Sequence, residues 1–283
     1  VFIWSGTHMG GGNADFTTAK NALQEVRNLQ GTTLDLQGNY ADIFDPTKKS
    51  NNKEIIFAIN YELQQAQMGM FANFRVNSIQ ANTLSFTQAA TPTVSAAYPY
   101  VNGANRVGMN QAMINRLTAP PADQRINSSF RVMYSNASPF ATRGVFLTKY
   151  VGTTAGTSQV YNNDFPIYRY ADVLLLLAEA KTKLGEDPSA EIDAIRVRAY
   201  GAGYTPYVNS DVTTNMNAIL EEYLKEFIGE GKRWWALRRA GDSYVYANLN
   251  PTYFSPASTA KFLLPLSLSM LQADPLLSQT TGY

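Results

Sequence analysis

The chain has 283 residues, of which 45% are hydrophobic and only 16% are charged, whereas about a quarter of an ordinary globular protein is charged. With no cysteine, a single histidine (His8) and a net charge of +1, it offers no disulfides, no cysteine-based or multi-histidine metal site, and no basic footprint for nucleic acid. No stretch reaches the roughly 18 consecutive apolar residues of a membrane-spanning helix.

The start of the chain predicts one helix and one strand. Residues 15–30 carry apolar side chains at three- and four-residue steps, which indicates an amphipathic helix that Gly31 ends. Residues 54–63 alternate instead, as in a short strand whose one side carries Ile55, Phe57, Ile59 and Tyr61.

The composition changes between residues 63 and 105. Arg75 is the only charged residue in this stretch, which is rich in amides and aromatic rings and has no regular period. A non-periodic segment of this length inside a globular protein is uncommon and often functional. The alternative is an irregular capping subdomain without a ligand.

Short elements precede the most regular part of the chain. We predict a helix at 109–117, a turn at 120–125, a strand at 145–151 and a loop at 152–164. Glycines and a proline then separate four helices, which we place at 167–184, 187–199, 215–228 and 232–240. They form antiparallel hairpins similar to tetratricopeptide units. Residues 261–283 are apolar but irregular, and we expect them to lie across the helical body as an extended arm.

Four sequence blocks follow one another between residues 165 and 283. They are Arg169-Tyr170-Ala171-Asp172 with a leucine run and Ala178-Glu179-Ala180; Ile195-Arg196-Val197-Arg198-Ala199; Glu230-Gly231-Lys232-Arg233-Trp234-Trp235 within residues 222–239; and Leu264-Pro265-Leu266 with the closing Gly282-Tyr283. In this order they resemble the motifs of the SusD/RagB family of outer-membrane nutrient-binding lipoproteins.

This resemblance implies a mainly α fold. Tetratricopeptide-like hairpins would form a SusD-like α-α superhelix with a large irregular, loop-rich subdomain and a few short strands. We expect a single domain over residues 1–283, with a helical repeat part at 1–62, the loop-rich subdomain and ligand face at 63–163, and helical hairpins with an extended tail at 164–283. Because family members are longer and the chain opens at Val1 without a signal peptide, we expect an N-terminal truncation that removes the family's lipid-bearing cysteine.

The function that the resemblance implies is non-catalytic capture of a nutrient oligomer, most often a glycan. Delivery would be to a SusC-like TonB-dependent transporter, from an outward-facing position on the outer membrane of a Bacteroidetes-type bacterium. No cofactor is expected. The alternatives are a peptide-binding member of the same family, a protein-interaction scaffold and, less favoured, a glycoside hydrolase.

Candidate ligand residues come from composition and loop position, because no family motif carries them over. Sugars stack their C–H faces on aromatic rings and exchange hydrogen bonds with amides and arginine. In the loop-rich subdomain these residue types are represented by Phe71, Arg75, Asn77, Tyr98, Tyr100 and Asn102.

No residue is predicted to be catalytic. Asp172 and Glu179 are seven residues apart and share a helix face, and paired carboxylates can hydrolyse glycosides. Neighbouring arginines favour ion pairs instead. We also expect pairing among Glu226, Glu230 and Arg233, packing roles for Trp234 and Trp235, and a surface position for His8.

Overall fold

A computed structural model describes residues 1–119 and 123–282, with the backbone alone for Phe71, Ala202 and residues 258–260. The α-helices of the described ranges are α1 (Phe2–His8), α2 (Gly12–Arg27), α3 (Ser78–Ala81), α4 (Val94–Ala97), α5 (Gln111–Thr118), α6 (Gln124–Ser129), α7 (Tyr170–Lys183), α8 (Ser189–Tyr200), α9 (Val212–Glu226), α10 (Arg233–Ala240), α11 (Asp242–Asn248) and α12 (Leu268–Ala273). None of these helices is long and apolar enough to cross a membrane.

The strands are short. They are β1 (Ile55–Ile59), β2 (Leu84–Ser85), β3 (Phe130–Ser135), β4 (Thr142–Leu147), β5 (Thr153–Ala155), β6 (Ser158–Val160) and β7 (Phe165–Arg169). They form the antiparallel pair β1–β7, the three-stranded sheet β2–β3–β4 and the hairpin β5–β6. Five 3₁₀ helices lie at Tyr40–Phe44, Lys49–Asn51, Gly69–Phe74, Gly201–Gly203 and Pro256–Phe262 in the described part. The predicted mainly α-helical class is confirmed.

α7 is the central helix of the molecule. It contacts α2, α8 and α9, and its apolar residues point in all directions, as expected for a helix enclosed by neighbours. Leu174, Leu175 and Leu177 are fully buried. The helices predicted at 187–199, 215–228 and 232–240 correspond to α8, α9 and α10 within a few residues.

The prediction that α7 begins at residue 167 was wrong. Residues 165–169 pair with β1, so Ile167 and Tyr168 belong to β7. The helix begins only after Arg169, whose backbone is extended and whose N–H donates to the Asp172 carboxylate at 2.8 Å. This capping interaction satisfies a free N–H at the start of the helix.

Residues 63–163 contain more regular structure than predicted. We predicted a turn at 120–125, but residues 124 and 125 belong to α6, which spans residues 124–129. Residues 120–122 of the predicted turn lie outside the described residues. The predicted strand at 145–151 coincides with β4 only at 145–147, because β4 begins and ends earlier. The predicted loop at 152–164 contains the β5–β6 hairpin. One hydrophobic cluster within these residues includes Val76, Leu84, Val94, Met133 and Phe146.

The C-terminal tail does not pack across the helical body as predicted. Phe262 contacts Trp234, but α12, which follows, has no buried residue. Leu264 and Leu276 are 87% and 92% exposed. The apolar side chains of the tail therefore contribute little to the core.

Candidate functional site

The motif arginine Arg169 lies at the centre of a buried ion network. Its side chain is fully buried, and its guanidinium donates to the carboxylates of Glu54, Glu226 at 2.9 Å and Glu230 at 2.9 Å. Lys149 donates to Glu230 at 2.7 Å, and Arg198 donates to Glu54 at 2.9 Å and to Glu226 at 2.5 Å. The term buried ion network refers to these six residues below: Glu54, Lys149, Arg169, Arg198, Glu226 and Glu230.

The network connects the residue before β1, the last residue of β7, α8 and the end of α9 with the segment after β4. Burial alone would raise the pKa of Glu226, but the guanidiniums of Arg198, Arg169 and Arg125 hold it well below its usual range. Burial would likewise raise the pKa of Glu230, and Arg169 and Lys149 lower it. The carboxylates therefore stay charged and paired. The side chains of all three carboxylates are fully buried, which favours a structural role in holding these elements together.

Lys149 gives the network a pH dependence. Burial lowers the pKa of its ammonium from 10.5 to about 8, against the opposing effect of Glu230. At this side chain the unfolded protein therefore binds more protons than the folded protein between pH 8 and pH 10.5, so the contribution of Lys149 to stability rises with pH in this window. We expect the free energy of unfolding of the wild type to gain about 1–2 kcal/mol over Lys149→Met between pH 8 and pH 9.5, measured by urea titration. If the free energies of unfolding of the two proteins changed with pH in parallel, this expectation would be wrong. Lys48→Met serves as the control, because Lys48 is exposed.

The carboxylates considered for catalysis are ion-paired. Asp172 accepts from Lys232 at 2.9 Å, and Glu179 accepts from Arg239 at 3.1 Å, as the ion-pair interpretation predicted. Arg233 does not join Glu226 and Glu230: it donates to the carbonyl oxygen of Leu220 and to Asn248. That part of the prediction was wrong, because Glu226 and Glu230 point into the network.

The single histidine and the tryptophans lie near α10. His8 is exposed, its ring lies 4.5 Å from that of Trp4 at a tilt of 42°, and its Nε2 is 2.5 Å from the carbonyl oxygen of Arg238. Trp234 packs against the main core, with its ring 5.5 Å from that of Phe254. Trp235, for which a packing role was also expected, is 57% exposed.

Several of the predicted ligand residues make contacts within the protein. Arg75 is buried, its guanidinium lies 4.9 Å from the Tyr161 ring, and burial lowers its pKa. Tyr98 is half-buried and stacks on Phe146 at 4.7 Å. Asn77 caps α3 by accepting from the N–H of Gln80 at 2.8 Å.

The remaining predicted residues are more accessible. Tyr100 is half-buried and Asn102 is exposed. Phe71 lies in the 3₁₀ helix Gly69–Phe74, and its side chain lies outside the described part. Gly103 brings this segment against the backbone of Arg75, since a Cβ on Gly103 would lie 2.1 Å from the Arg75 carbonyl oxygen. The close approach of the two segments therefore requires glycine at this position.

An open cleft of about 530 Å³ borders the hydrophobic cluster that contains Val76, Leu84 and Met133. Its floor is apolar and its walls carry amides, hydroxyls and an arginine; we call it the amide cleft. The floor is formed by Val76, Leu84 and Met133, and the walls by Gln80, Thr83, Asn105, Ser135, Asn136 and Arg143. Asn136 fixes the geometry, because its backbone N–H donates to the carbonyl of Thr83 at 3.1 Å and its side chain donates to that of Asn82 at 3.0 Å.

Arg143 is the charged side chain of the amide cleft. It is exposed on β4 and makes no hydrogen bond or ion pair within residues 1–119 and 123–282. Sequence reasoning missed this residue because it lies in a hairpin far along the chain from the segment rich in amides. Only the pairing of β2 with β3, which joins Leu84 to Ser135, brings the two together.

Comparison with known proteins gives consistent matches. The SusD family profile matches residues 124–283. SusD-like protein P38 of Formosa agariphila is 32% identical over 128 residues, which are 41% of this chain and 24% of that protein. NanU of B. fragilis is 33% identical with a TM-score of 0.84, over all of this chain and 61% of NanU.

A more distant structure shares the fold. Surface glycan-binding protein A from Bacteroides thetaiotaomicron, in complex with laminarihexaose, is 21% identical with a TM-score of 0.64, over 95% of this chain and 60% of that one. The chain thus spans about three-fifths of these solved relatives and about a quarter of P38. Because the family profile covers more than half of its residues, the chain belongs to the SusD family.

Proposed function

We propose that this protein binds an oligosaccharide in the amide cleft without cleaving it. Family membership supports this function, and the same fold holds laminarihexaose in surface glycan-binding protein A. The observation that carries the proposal is the cleft itself, about 530 Å³ with an apolar floor and walls of amides and hydroxyls. That volume lies within the range of small-molecule sites.

The side chains of the cleft match the chemistry of a sugar. Amides and hydroxyls donate to and accept from sugar hydroxyl groups, while Val76 and Met133 provide apolar contact for C–H faces. Arg143 can donate several hydrogen bonds at once from a planar guanidinium. Tyr100 and Asn102, near the same cluster, are proposed to extend this surface.

The same residues support binding without catalysis. Glycoside hydrolysis uses two carboxyl groups that flank the scissile bond. Among the described residues that line the amide cleft there is no aspartate, glutamate or histidine. Asp172 and Glu179 are held in ion pairs elsewhere.

We further propose that capture occurs on the outward face of the outer membrane and that the ligand passes to a SusC-like TonB-dependent transporter. The family resemblance supports this location and partner. A lipid anchor would provide the attachment. A peptide is the alternative ligand, and the binding experiment described next can be extended to it.

Calorimetric titration with host and plant polysaccharides, including laminarihexaose, tests the proposal. We expect Arg143→Ala to weaken the Kd about 10-fold to 100-fold, since a hydrogen bond to a charged group is worth about 1.5–3 kcal/mol. Arg106→Ala is the matched control, because Arg106 is also exposed but does not line the cleft. Chromatography should show no sugar released over hours.

Two results would count against the proposal. Equal affinities of wild type and Arg143→Ala for a bound glycan would remove the cleft as the site. The double variant Tyr98→Ala, Tyr100→Ala then tests the originally predicted surface, with Tyr100→Ala alone as the variant that spares the Tyr98–Phe146 stack. Failure to bind any glycan, with binding of a peptide pool, would replace the ligand class.

A further inference from the structure

Basic residues are concentrated in the part of the chain that forms the amide cleft. Residues 63–163 contain seven arginines and lysines but a single acidic residue, Asp123, so their net charge is +6, whereas that of the whole chain is +1. The rest of the chain therefore has a net charge of −5. All the residues that line the amide cleft belong to the basic part, and the nearly neutral total hides this division.

Three of the seven cations are neutralised by carboxylates from outside this part. Arg116, Arg125 and Lys149 form ion pairs with glutamates located between residues 221 and 230. Arg125 also occupies Asp123, the acidic residue of the basic part. The other four cations are arginines that form no ion pair within the described part of the chain, namely Arg75, Arg106, Arg131 and Arg143. Their positive charges have no internal counter-charge.

Two of these four arginines belong to the β3–β4 hairpin. Arg143 lines the amide cleft and is exposed. Arg131 lies on β3 two residues before Met133 of the cleft floor, so the two side chains leave the same face of the strand. Its guanidinium lies 3.9 Å from the centre of the Phe86 ring. Such a contact attracts a cation but does not cancel its charge, so both arginines contribute positive potential to this face.

The other two arginines lie beside residues of the same lining. Arg75 is 1% exposed and directly precedes Val76 of the floor, and its carbonyl oxygen accepts from the N–H of Asn105, a wall residue, at 2.7 Å. Arg106 follows Asn105 and is exposed. A guanidinium stays protonated in proteins, and salt screens a buried charge less than an exposed one. Arg75 therefore adds a weakly screened positive charge next to the floor.

We propose that the amide cleft selects acidic saccharides, which carry carboxylate or sulfate groups, and that Arg143 contacts the anionic group. The inference rests on the proposed function, since it names the class of glycan that the same cleft binds. A cleft lined by one sign of charge focuses its field and concentrates ligands of the opposite sign. A guanidinium can also bind a carboxylate through two parallel hydrogen bonds. The described lining contains no carboxylate that would repel such a ligand.

Matched pairs of saccharides test the proposal, titrated by calorimetry into the full 283-residue protein alongside the polysaccharide panel. Hexagalacturonate and its methyl ester share a backbone and differ in charge. A chondroitin hexasaccharide with and without sulfate separates sulfate from carboxylate. We expect acidic saccharides to bind about 10-fold or more tightly than neutral ones, as for a charge-assisted hydrogen bond. Raising NaCl from 50 to 500 mM should weaken the acidic ligand about 3-fold to 10-fold and leave a neutral ligand unchanged.

Substitutions of Arg143 separate its charge from its hydrogen bonding. Arg143→Gln keeps an amide donor and removes the charge, so the preference for the acidic over the neutral saccharide should fall below about 3-fold. Arg143→Lys keeps the charge and loses the planar fork, and should retain a preference of about 5-fold or more. Arg106→Gln makes the same change in net charge outside the cleft lining. It should alter the Kd by less than about 3-fold, because it acts only through the screened field.

The results that would overturn this inference leave different conclusions standing. A neutral glycan that binds as tightly as every acidic one would remove the acidic class and leave glycan capture intact. An unchanged acidic preference in Arg143→Gln would show that another part of the protein recognises the charge. Tighter binding of hexaglutamate than of any saccharide would make the ligand an acidic peptide. If no saccharide binds at all, the proposed function is wrong as well.

Discussion

Arg169→Met is expected to lower the free energy of unfolding by about 3–5 kcal/mol, or to prevent folding, because removing one partner leaves buried charges uncompensated. Arg169 is fully buried and pairs with Glu54, Glu226 and Glu230. Methionine keeps most of the unbranched stem while removing the cation. Urea unfolding followed by circular dichroism measures the loss.

A surface ion pair provides the control for Arg169. Arg116 pairs with Glu221, but its side chain is 41% exposed. Pairs of this kind are worth at most about 1 kcal/mol, so Arg116→Met should change stability only slightly. Similar losses in Arg116→Met and Arg169→Met would show that burial of the network contributes nothing specific.

Leu174→Ala is expected to cost about 2–5 kcal/mol, the range for leucine truncation in a packed core. Leu174 is fully buried in the cluster that joins α7, α8 and α9. Alanine has the highest helix propensity, so the loss would come from the cavity and not from a weakened helix. The same urea titration measures it.

The matched change is Leu268→Ala in α12. Leu268 is also helical but is 69% exposed, so its truncation should alter stability by less than about 0.5 kcal/mol. If Leu268→Ala lowered the free energy of unfolding as much as Leu174→Ala, the tail would pack against the helical body in solution, as we predicted from the sequence.

Local signals predicted the helical half of the fold well. The apolar periodicity of α8, α9 and α10 and the glycines between them are local patterns that extend over a few residues. These helices could therefore be predicted without knowledge of the rest of the chain. The start of α7 was misplaced because its preceding residues pair with β1, more than a hundred positions earlier. The β5–β6 hairpin was missed because its threonine- and glycine-rich sequence resembles a loop.

The candidate site was less predictable. Composition directed attention to residues 63–105, and the amide cleft draws Gln80 and Thr83 from that segment. The cleft also contains Asn136 and Arg143 from the β3–β4 hairpin. The sequence of residues 63–105 does not indicate that this hairpin lies beside them. Composition also could not reveal that Arg75 is buried, since the rings that enclose it come from Phe146 and Tyr161.

The buried ion network also joins residues that are synthesised far apart in time. Glu54 is made 115 residues before Arg169, and Lys149 is made 81 residues before Glu230. Contacts this distant in sequence form slowly, and chains emerge from the ribosome amino terminus first. Until Glu230 has emerged, Arg169 and Lys149 lack a carboxylate that the finished core provides. This part of the core therefore cannot be completed until residue 230 has been translated.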